Sequence, residues 1–257
     1  MLVLLPPSEG KRAPASGAPV DVSSLTFPEL EARREKALRA LVRMASGNRT
    51  RALEHLGLSA GQGAEVDRDA ALLDAPAGPA GEVYTGVLFQ HLDLASLPEA
   101  ALARAREHVL VSSALWGVVA LDDHIPAYRL SIGSRIPALT RSGLAAWWRP
   151  ALTSVLPDAP GDLVVDMRSG GYAAAWRPRA STLVEVKAST AAGKPISHMA
   201  KAVRGSVTRD LLLSPKPITS PEDVATIAER GADVGRVELT PPAKPGGAHV
   251  IDVIAAA

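Results

Sequence analysis

The stretch Ile196-Ser197-His198-Met199-Ala200-Lys201-Ala202-Val203-Arg204-Gly205 holds the densest set of groups able to grip an anion. A strand-like lead-in passes through a polar pair into a helix that carries Lys201, Arg204 and Thr208. At about 100° per residue these three share one stripe, with Ser197 on the same side. Ala200, Val203, Val207 and Leu211 form the neighbouring apolar stripe, which anchors such a helix while it presents two cations. Two cations beside a helix N-terminus suit phosphate, although the same residues also describe the solvated face of a surface helix. Lys201 near a carboxylate such as Asp166 would be an amine nucleophile if burial lowered its pKa.

A second lysine, Lys11, closes Ser8-Glu9-Gly10-Lys11 after an apolar run. That loop lacks the GxxxxGK[ST] spacing that wraps backbone amides around a phosphate chain, but Lys11 at a strand end can project into a cleft. Four short clusters mix aromatic, glycine and polar or basic residues: Tyr84-Thr85-Gly86, Leu115-Trp116-Gly117, Pro126-Ala127-Tyr128-Arg129 and Ser169-Gly170-Gly171-Tyr172. They hold all 3 tyrosines of the chain, in loop-like places rather than periodic apolar stripes. Phenols and guanidinium groups at loop ends suit stacking on bases or contact with phosphates; the alternative is a half-buried tyrosine with a satisfied hydroxyl.

Other chemistries find less support. The 6 histidines form no HxH or HxxxH pair, and Asp122-Asp123-His124 places adjacent side chains that diverge on a loop, so no metal site and no cofactor is expected. No GxSxG elbow supports a serine triad. With no cysteine, disulfides, thiolate catalysis and zinc-thiolate sites are excluded. A net charge of +1 over 257 residues means that nucleic-acid binding requires basic residues gathered locally. No apolar run approaches the roughly 20 residues that span a bilayer. The Leu2-Val3-Leu4-Leu5 run has no basic segment before it and stops at Pro6-Pro7, so it reads as a first strand rather than a signal peptide, and a cytoplasmic protein is expected.

These groups must be positioned by alternating elements. The patterns predict strands over 1–5, 109–113, 163–166, 182–187, 234–239 and 249–254, with an extended piece over 125–132. Helices are predicted over 28–45, 49–58, 97–108, 141–156, 170–176 and 221–230, besides the one that opens at Ser197. In the first, Leu30, Ala37, Leu38, Leu41 and Ala45 share one face, and Arg33, Lys36, Arg39 and Arg43 the other. The Pro/Ala/Ser/Gly-rich stretch up to Val20 reads as a mobile loop. The class is α/β (or α+β) with a mixed sheet flanked by helices, a single domain over 1–257 without repeats or linkers.

The order of clusters resembles the YaaA family of bacterial peroxide-stress proteins. The resemblance runs from MLVLLPPSEGK through VYTGVL, SSALWGVV, IPAYRLSIG, AAWWRPAL, VVDMRSGGY and ISHMAKAVRG, over nearly the whole chain. It implies a compact α/β domain with a positively charged cleft, a fold described as the family's own. It also implies protection from hydrogen peroxide, with DNA binding in one member, less oxidative DNA damage and lower free iron. The matching positions are Lys11, Tyr84, Gly86, Gly117, Pro126, Tyr128, Arg129, Trp148, Ser169, Tyr172, Lys201, Arg204 and Gly205. Three departures stand out: Ser46-Gly47-Asn48-Arg49-Thr50-Arg51 lacks the family's helix-hairpin-helix pattern, Arg149 replaces a small residue, and Met199 an aromatic.

On this resemblance the expected function is a cytoplasmic DNA-binding protein of the peroxide-stress response that protects DNA and limits free iron. Arg129, Lys201 and Arg204 would contact phosphates, with Tyr84, Tyr128 and Tyr172 packing on sugars or bases, and Lys11, Ser169 and Trp148 complete the DNA- or phosphate-binding set. The alternative is an enzyme acting on a nucleotide or a DNA lesion in the same cleft, with Lys201 as nucleophile or electrostatic stabiliser and Tyr172 beside it. The partner is DNA or a nucleotide-like phosphorylated ligand, and no membrane.

Overall fold

Four consecutive apolar residues form β1 (Leu2–Leu5), and a run without alternation suits a strand covered on both faces. The structure, a computed structural model, describes residues 1–190, 197–231 and 234–255. After Pro6-Pro7 the chain runs irregularly until α1 (Glu31–Ala45), α2 (Arg49–Leu56) and α3 (Gly63–Ala70). Then come β2 (Gly78–Pro79), α4 (Ala80–Val83), α5 (Val87–Leu92), α6 (Glu99–His108), β3 (Val109–Ser113), β4 (Gly117–Ala120) and β5 (His124–Ile125). The remainder is α7 (Leu144–Val155), β6 (Leu163–Asp166), α8 (Gly170–Ala173), β7 (Thr182–Ser189), α9 (Ser197–Leu213), α10 (Pro221–Ala228), β8 (Val234–Thr240) and β9 (His249–Ala255).

Seven strands make one mixed sheet in the order β4-β3-β1-β6-β7-β9-β8. The five inner strands run parallel, with Val3 opposite Val109 on one side of β1 and Val165 on the other. The edges β4 and β8 are antiparallel. Helices flank this sheet around one buried core, as the alternating pattern anticipates. The chain leaves β1 toward β3 on one side and later returns to its other side with β6. The connections therefore reverse direction beside β1, and the crevice outside the carboxyl ends of such strands is where α/β sheets place ligands.

The α1 face expected from periodicity is buried at Ala37, Leu38, Leu41 and Ala45, and Arg34 is buried with them. Its guanidinium donates to the carbonyls of Leu25, Thr26, Phe27, Trp116 and Val118, tying β4 and the preceding loop to α1. Four other details depart from the sequence reading. The loop up to Val20 is pinned by bridges between Pro19 and Pro76 and between Lys11 and Tyr84. No helix was expected over α3, which Gly63 opens directly after a turn held by a capping box between Ser59 and Gln62. The extended piece over 125–132 pairs only at His124–Ile125, because Pro126 has no N–H and the Arg129 amide donates to the Asp69 carboxylate at 2.8 Å. β4 was not anticipated; its first residue, Gly117, has φ +75°, and a Cβ there would lie 2.8 Å from the Trp148 ring.

Candidate functional site

The carboxyl ends of β1 and β6 open into a cleft of about 360 Å³. Residues 6–11 form one wall, Ser169 and Tyr172 the second, Arg129 to Ser131 the third, and Lys201 and Arg204 on α9 the fourth. Four cations (Lys11, Arg129, Lys201, Arg204) and one carboxylate (Glu9) line it.

The first wall is held by hydrogen bonds to the chain around Tyr84. The Arg12 amide donates to the Val83 carbonyl at 2.9 Å, the Thr85 amide to Ser8 Oγ at 2.9 Å, and Thr85 Oγ1 to the Gly10 carbonyl at 3.1 Å. This clasp aims Lys11 inward. Its Nζ donates to the Ser8 carbonyl at 2.8 Å and lies 4.2 Å from the centre of the Tyr128 ring and 5.4 Å from that of Tyr84. Among the described residues it makes no ion pair. Burial, reinforced by the Arg129 charge, lowers the Lys11 pKa to about 7. Asp69 at the end of α3 is fully buried, and burial raises its carboxyl to about 7 against the Arg129 amide and the Lys11 charge. Among the described residues its Oδ2 has no hydrogen-bond partner.

Under Lys11 runs a chain of hydroxyls. Ser113 Oγ accepts the amides of Leu115 (3.1 Å) and Trp116 (2.8 Å), so its proton points to the Tyr128 hydroxyl at 2.7 Å. The Tyr128 hydroxyl is in turn hydrogen-bonded to that of Tyr84 at 2.9 Å. Burial holds both phenols well above their usual pKa, and does the same to Tyr172.

The site residues expected from sequence therefore separate into two groups. Lys11, Arg129, Ser169, Tyr172, Lys201 and Arg204 converge on the cleft. Tyr84 also touches a neighbouring crevice, yet its ring and that of Tyr128 are 2 % and 0 % exposed, so neither can pack on a sugar or base in this conformation. Trp148 is 0 % exposed, with Nε1 donating to the Ala114 carbonyl at 2.9 Å, and serves the core instead.

Arg129 reaches Glu9 at 2.7 Å, and Arg204 donates from Nε to the Val186 carbonyl at 3.0 Å. Lys201 stands exposed, and Asp166 is engaged at 2.7 Å by Arg168 inside the core, so the expected Lys201–Asp166 pairing is not formed. Thr208 leaves the cation stripe; it is buried and donates to the Arg204 carbonyl at 2.7 Å. Ile196 and the side chains of Ser197 and His198 lie outside the described residues. Gly205 lets α9 meet α5, since a Cβ there would collide with the Leu88 carbonyl. Of the departures noted in sequence, Arg149 donates to the Ala174 carbonyl at 2.8 Å and Met199 is exposed. Asp69 and Ser113 were missed: Asp69 lies in no recognisable motif, Ser113 sits in the SSALWGVV cluster without a signal of its own, and only the fold brings them near Lys11.

The chain is thus an α/β protein built on a mostly parallel sheet, with a cleft lined by cations at the point where its strand order reverses. The chain matches the family described as "peroxide stress protein YaaA" over residues 1–233 and belongs to that family. It is 47% identical to a UPF0246 protein of Streptomyces coelicolor, covering 99% of this chain and 98% of that one. A UPF0246 protein of Corynebacterium glutamicum is 38% identical over 89% of this chain and 92% of its own length. An uncharacterized protein of Campylobacter jejuni is 28% identical over 80% of this chain and 82% of its own. The family ties the chain to oxidative stress. Among the described residues no helix is long and apolar enough to cross a membrane.

Proposed function

We propose that the protein acts in the peroxide-stress response by binding DNA, taking one phosphorylated nucleotide unit into the cleft. The observation that carries this reading is the convergence of Lys11, Arg129, Lys201 and Arg204, from three separate segments, on one cavity of about 360 Å³. That volume is at the scale of a single small ligand, roughly 300–1,000 Å³, rather than of a groove that accepts a duplex lengthwise. DNA would then present a strand end, or a nucleotide turned out of its stack, with neighbouring phosphates on Lys201 and Arg204. Distorted DNA, whose unpaired nucleotides cost less to turn out, should bind better than uniform duplex.

Fluorescence anisotropy tests the reading. Duplex, single-stranded and bubble DNA would be titrated at two salt concentrations, with wild type and a Lys201→Ala/Arg204→Ala variant of unchanged melting temperature. Salt-sensitive binding that favours the bubble and is lost in the variant supports it. Absence of binding to all three DNAs defeats it.

A further inference from the structure

We propose that Lys11 is a nucleophile that condenses with the aldehyde of a sugar phosphate held in the cleft, and that the protein is therefore an enzyme or a covalent trap for such aldehydes. The phosphate-holding role of Lys201 and Arg204 is shared with the DNA reading, and the inference rests on it for that part alone.

The geometry points to Lys11 and away from Lys201. The Lys11 amine lines the cleft, has one hydrogen bond, to a carbonyl, and lies over two tyrosine rings. An ammonium used only to hold phosphate needs no such box, whereas an amine nucleophile must shed its proton, and desolvation beside a second cation is how proteins achieve that. The lowered pKa agrees with this placement. The second observation is the Asp69 carboxyl. It is wholly buried, keeps an Oδ2 unpartnered among the described residues, and lies within electrostatic reach of Lys11 but beyond ion-pair distance. A buried carboxyl at that distance acts on the Lys11 amine through its charge and does not cap the amine with an ion pair, so the amine stays free to attack. Among the described residues no histidine and no metal-capable cluster lies on this wall to serve another nucleophile. The characteristic reaction of a desolvated primary amine is addition to a carbonyl.

The step balances as follows. The Lys11 nitrogen pair forms a C–N bond to the aldehyde carbon, and the C=O π pair moves to oxygen, which takes a proton from a water in the cleft. The nitrogen returns a proton to the hydroxide so formed. A second proton from water lets the hydroxyl leave as water while the nitrogen pair forms the C=N bond, and the nitrogen proton then neutralises the remaining hydroxide. One aldehyde and one amine give one imine and one water, with no redox partner. An aldehyde beside a phosphate occurs in a free ring-opened sugar phosphate and in an abasic nucleotide of DNA, and the cations of the rim suit both.

The test is trapping with borohydride, which reduces the imine to a stable secondary amine. Wild-type protein would be treated with 2-deoxyribose 5-phosphate, with unphosphorylated 2-deoxyribose, and with a duplex containing one abasic site. Intact mass and peptide mapping would locate the adduct. The expected result is one adduct on Lys11, at least ten-fold faster with the phosphorylated than with the plain sugar, and lost in Lys11→Arg and Lys11→Met variants that still melt cooperatively. In Lys201→Ala/Arg204→Ala the adduct on Lys11 should persist while the preference for phosphate falls. Reaction with the free sugar phosphate but not the duplex identifies a metabolite as the source; the reverse identifies DNA. Adducts spread over surface lysines and the α-amine, or none on Lys11 with any probe, overturn the proposal. Intact DNA measured by anisotropy in parallel separates the two readings: binding without trapping removes the chemistry alone, and trapping of the free sugar without DNA binding removes DNA alone.

Discussion

Lys11 and Lys201 line the same cleft, yet their surroundings differ in kind. Lys11 is delivered by the carboxyl end of β1, lies over the Tyr128 and Tyr84 rings, and is neighboured by the Asp69 carboxyl. Lys201 rides an exposed face of α9 with Arg204 one turn on. The strand end sinks its amine into low dielectric, where the charged form is penalised; the helix leaves its amine in water, where a cation costs nothing. One cleft can thus hold an exposed cationic rim and a buried amine at its floor. The difference is one of placement, since the two residues are chemically identical.

The sharpest way to break this contrast is to empty a charge from the floor's scaffold. Asp166, at the end of β6, and Arg168 form a bidentate pair whose side chains are 2 % and 1 % exposed. Asp166→Ala would leave that guanidinium buried with only the Trp176 carbonyl as acceptor, and should cost about 3–5 kcal/mol in urea unfolding. The rim-side pair behaves differently. Glu9, 70 % exposed where it meets Arg129, should cost under about 1 kcal/mol when replaced by Ala.

The pH dependence of stability sharpens the same contrast. Between pH about 7 and the ordinary 10.5, Lys11 is protonated when unfolded and largely neutral when folded. The unfolded chain binds more protons there, so Lys11 contributes stability that grows as pH rises, by at most about 1.4 kcal/mol per pH unit. Asp69 acts in the opposite sense, because its folded pKa is raised from 3.8 to about 7. Its contribution is full below pH 3.8 and is lost as pH rises toward 7. Unfolding measured from pH 4 to pH 10 should show Lys11→Met flattening the alkaline limb and Asp69→Asn the acidic limb. A flat wild-type profile would place both groups in water.

A smaller effect is expected from the hydroxyl chain beneath Lys11. Tyr128→Phe removes the hydroxyl that receives from Ser113 and is hydrogen-bonded to that of Tyr84, leaving two buried hydroxyls short of a partner. The cost should be about 1–3 kcal/mol, with little change in DNA affinity, since the ring stays buried. A large loss of DNA binding at full stability would show that the ring reaches the ligand after all.

How much of this was legible in the sequence follows the same divide. The α1 face, β3 and β6 were readable because local periodicity and apolar runs encode them. Lys201 and Arg204 were readable as a pair because one helix spaces them. The floor was not, since Lys11, Asp69, Ser113 and Tyr128 come from four segments joined only by tertiary contacts. The loop-like setting of the tyrosines left open stacking on a ligand or a buried ring with a satisfied hydroxyl, and Tyr84 and Tyr128 take the second, as core residues whose hydroxyls bond to each other. β4 escaped because four residues beginning with glycine carry too little pattern, and Arg34 because a cation in an amphipathic helix reads as solvent-facing until five carbonyls surround it.

The least disruptive change tests the rim alone. Lys201 is exposed and makes no ion pair among the described residues, so Lys201→Ala should alter unfolding free energy by no more than about 0.5 kcal/mol at any pH from 4 to 10. Its effect on DNA should instead be electrostatic. The loss of one phosphate contact weakens binding about equally across sequences and lowers the slope of log affinity against log salt by roughly one. A change in slope without a change in stability separates a cation that serves a ligand from one that serves the fold. If Lys201→Ala instead shifted the pH profile of stability, the two walls would be coupled. The cleft would then have to be treated as a single titrating unit, and Lys201 would no longer be a spectator to the protonation of Lys11.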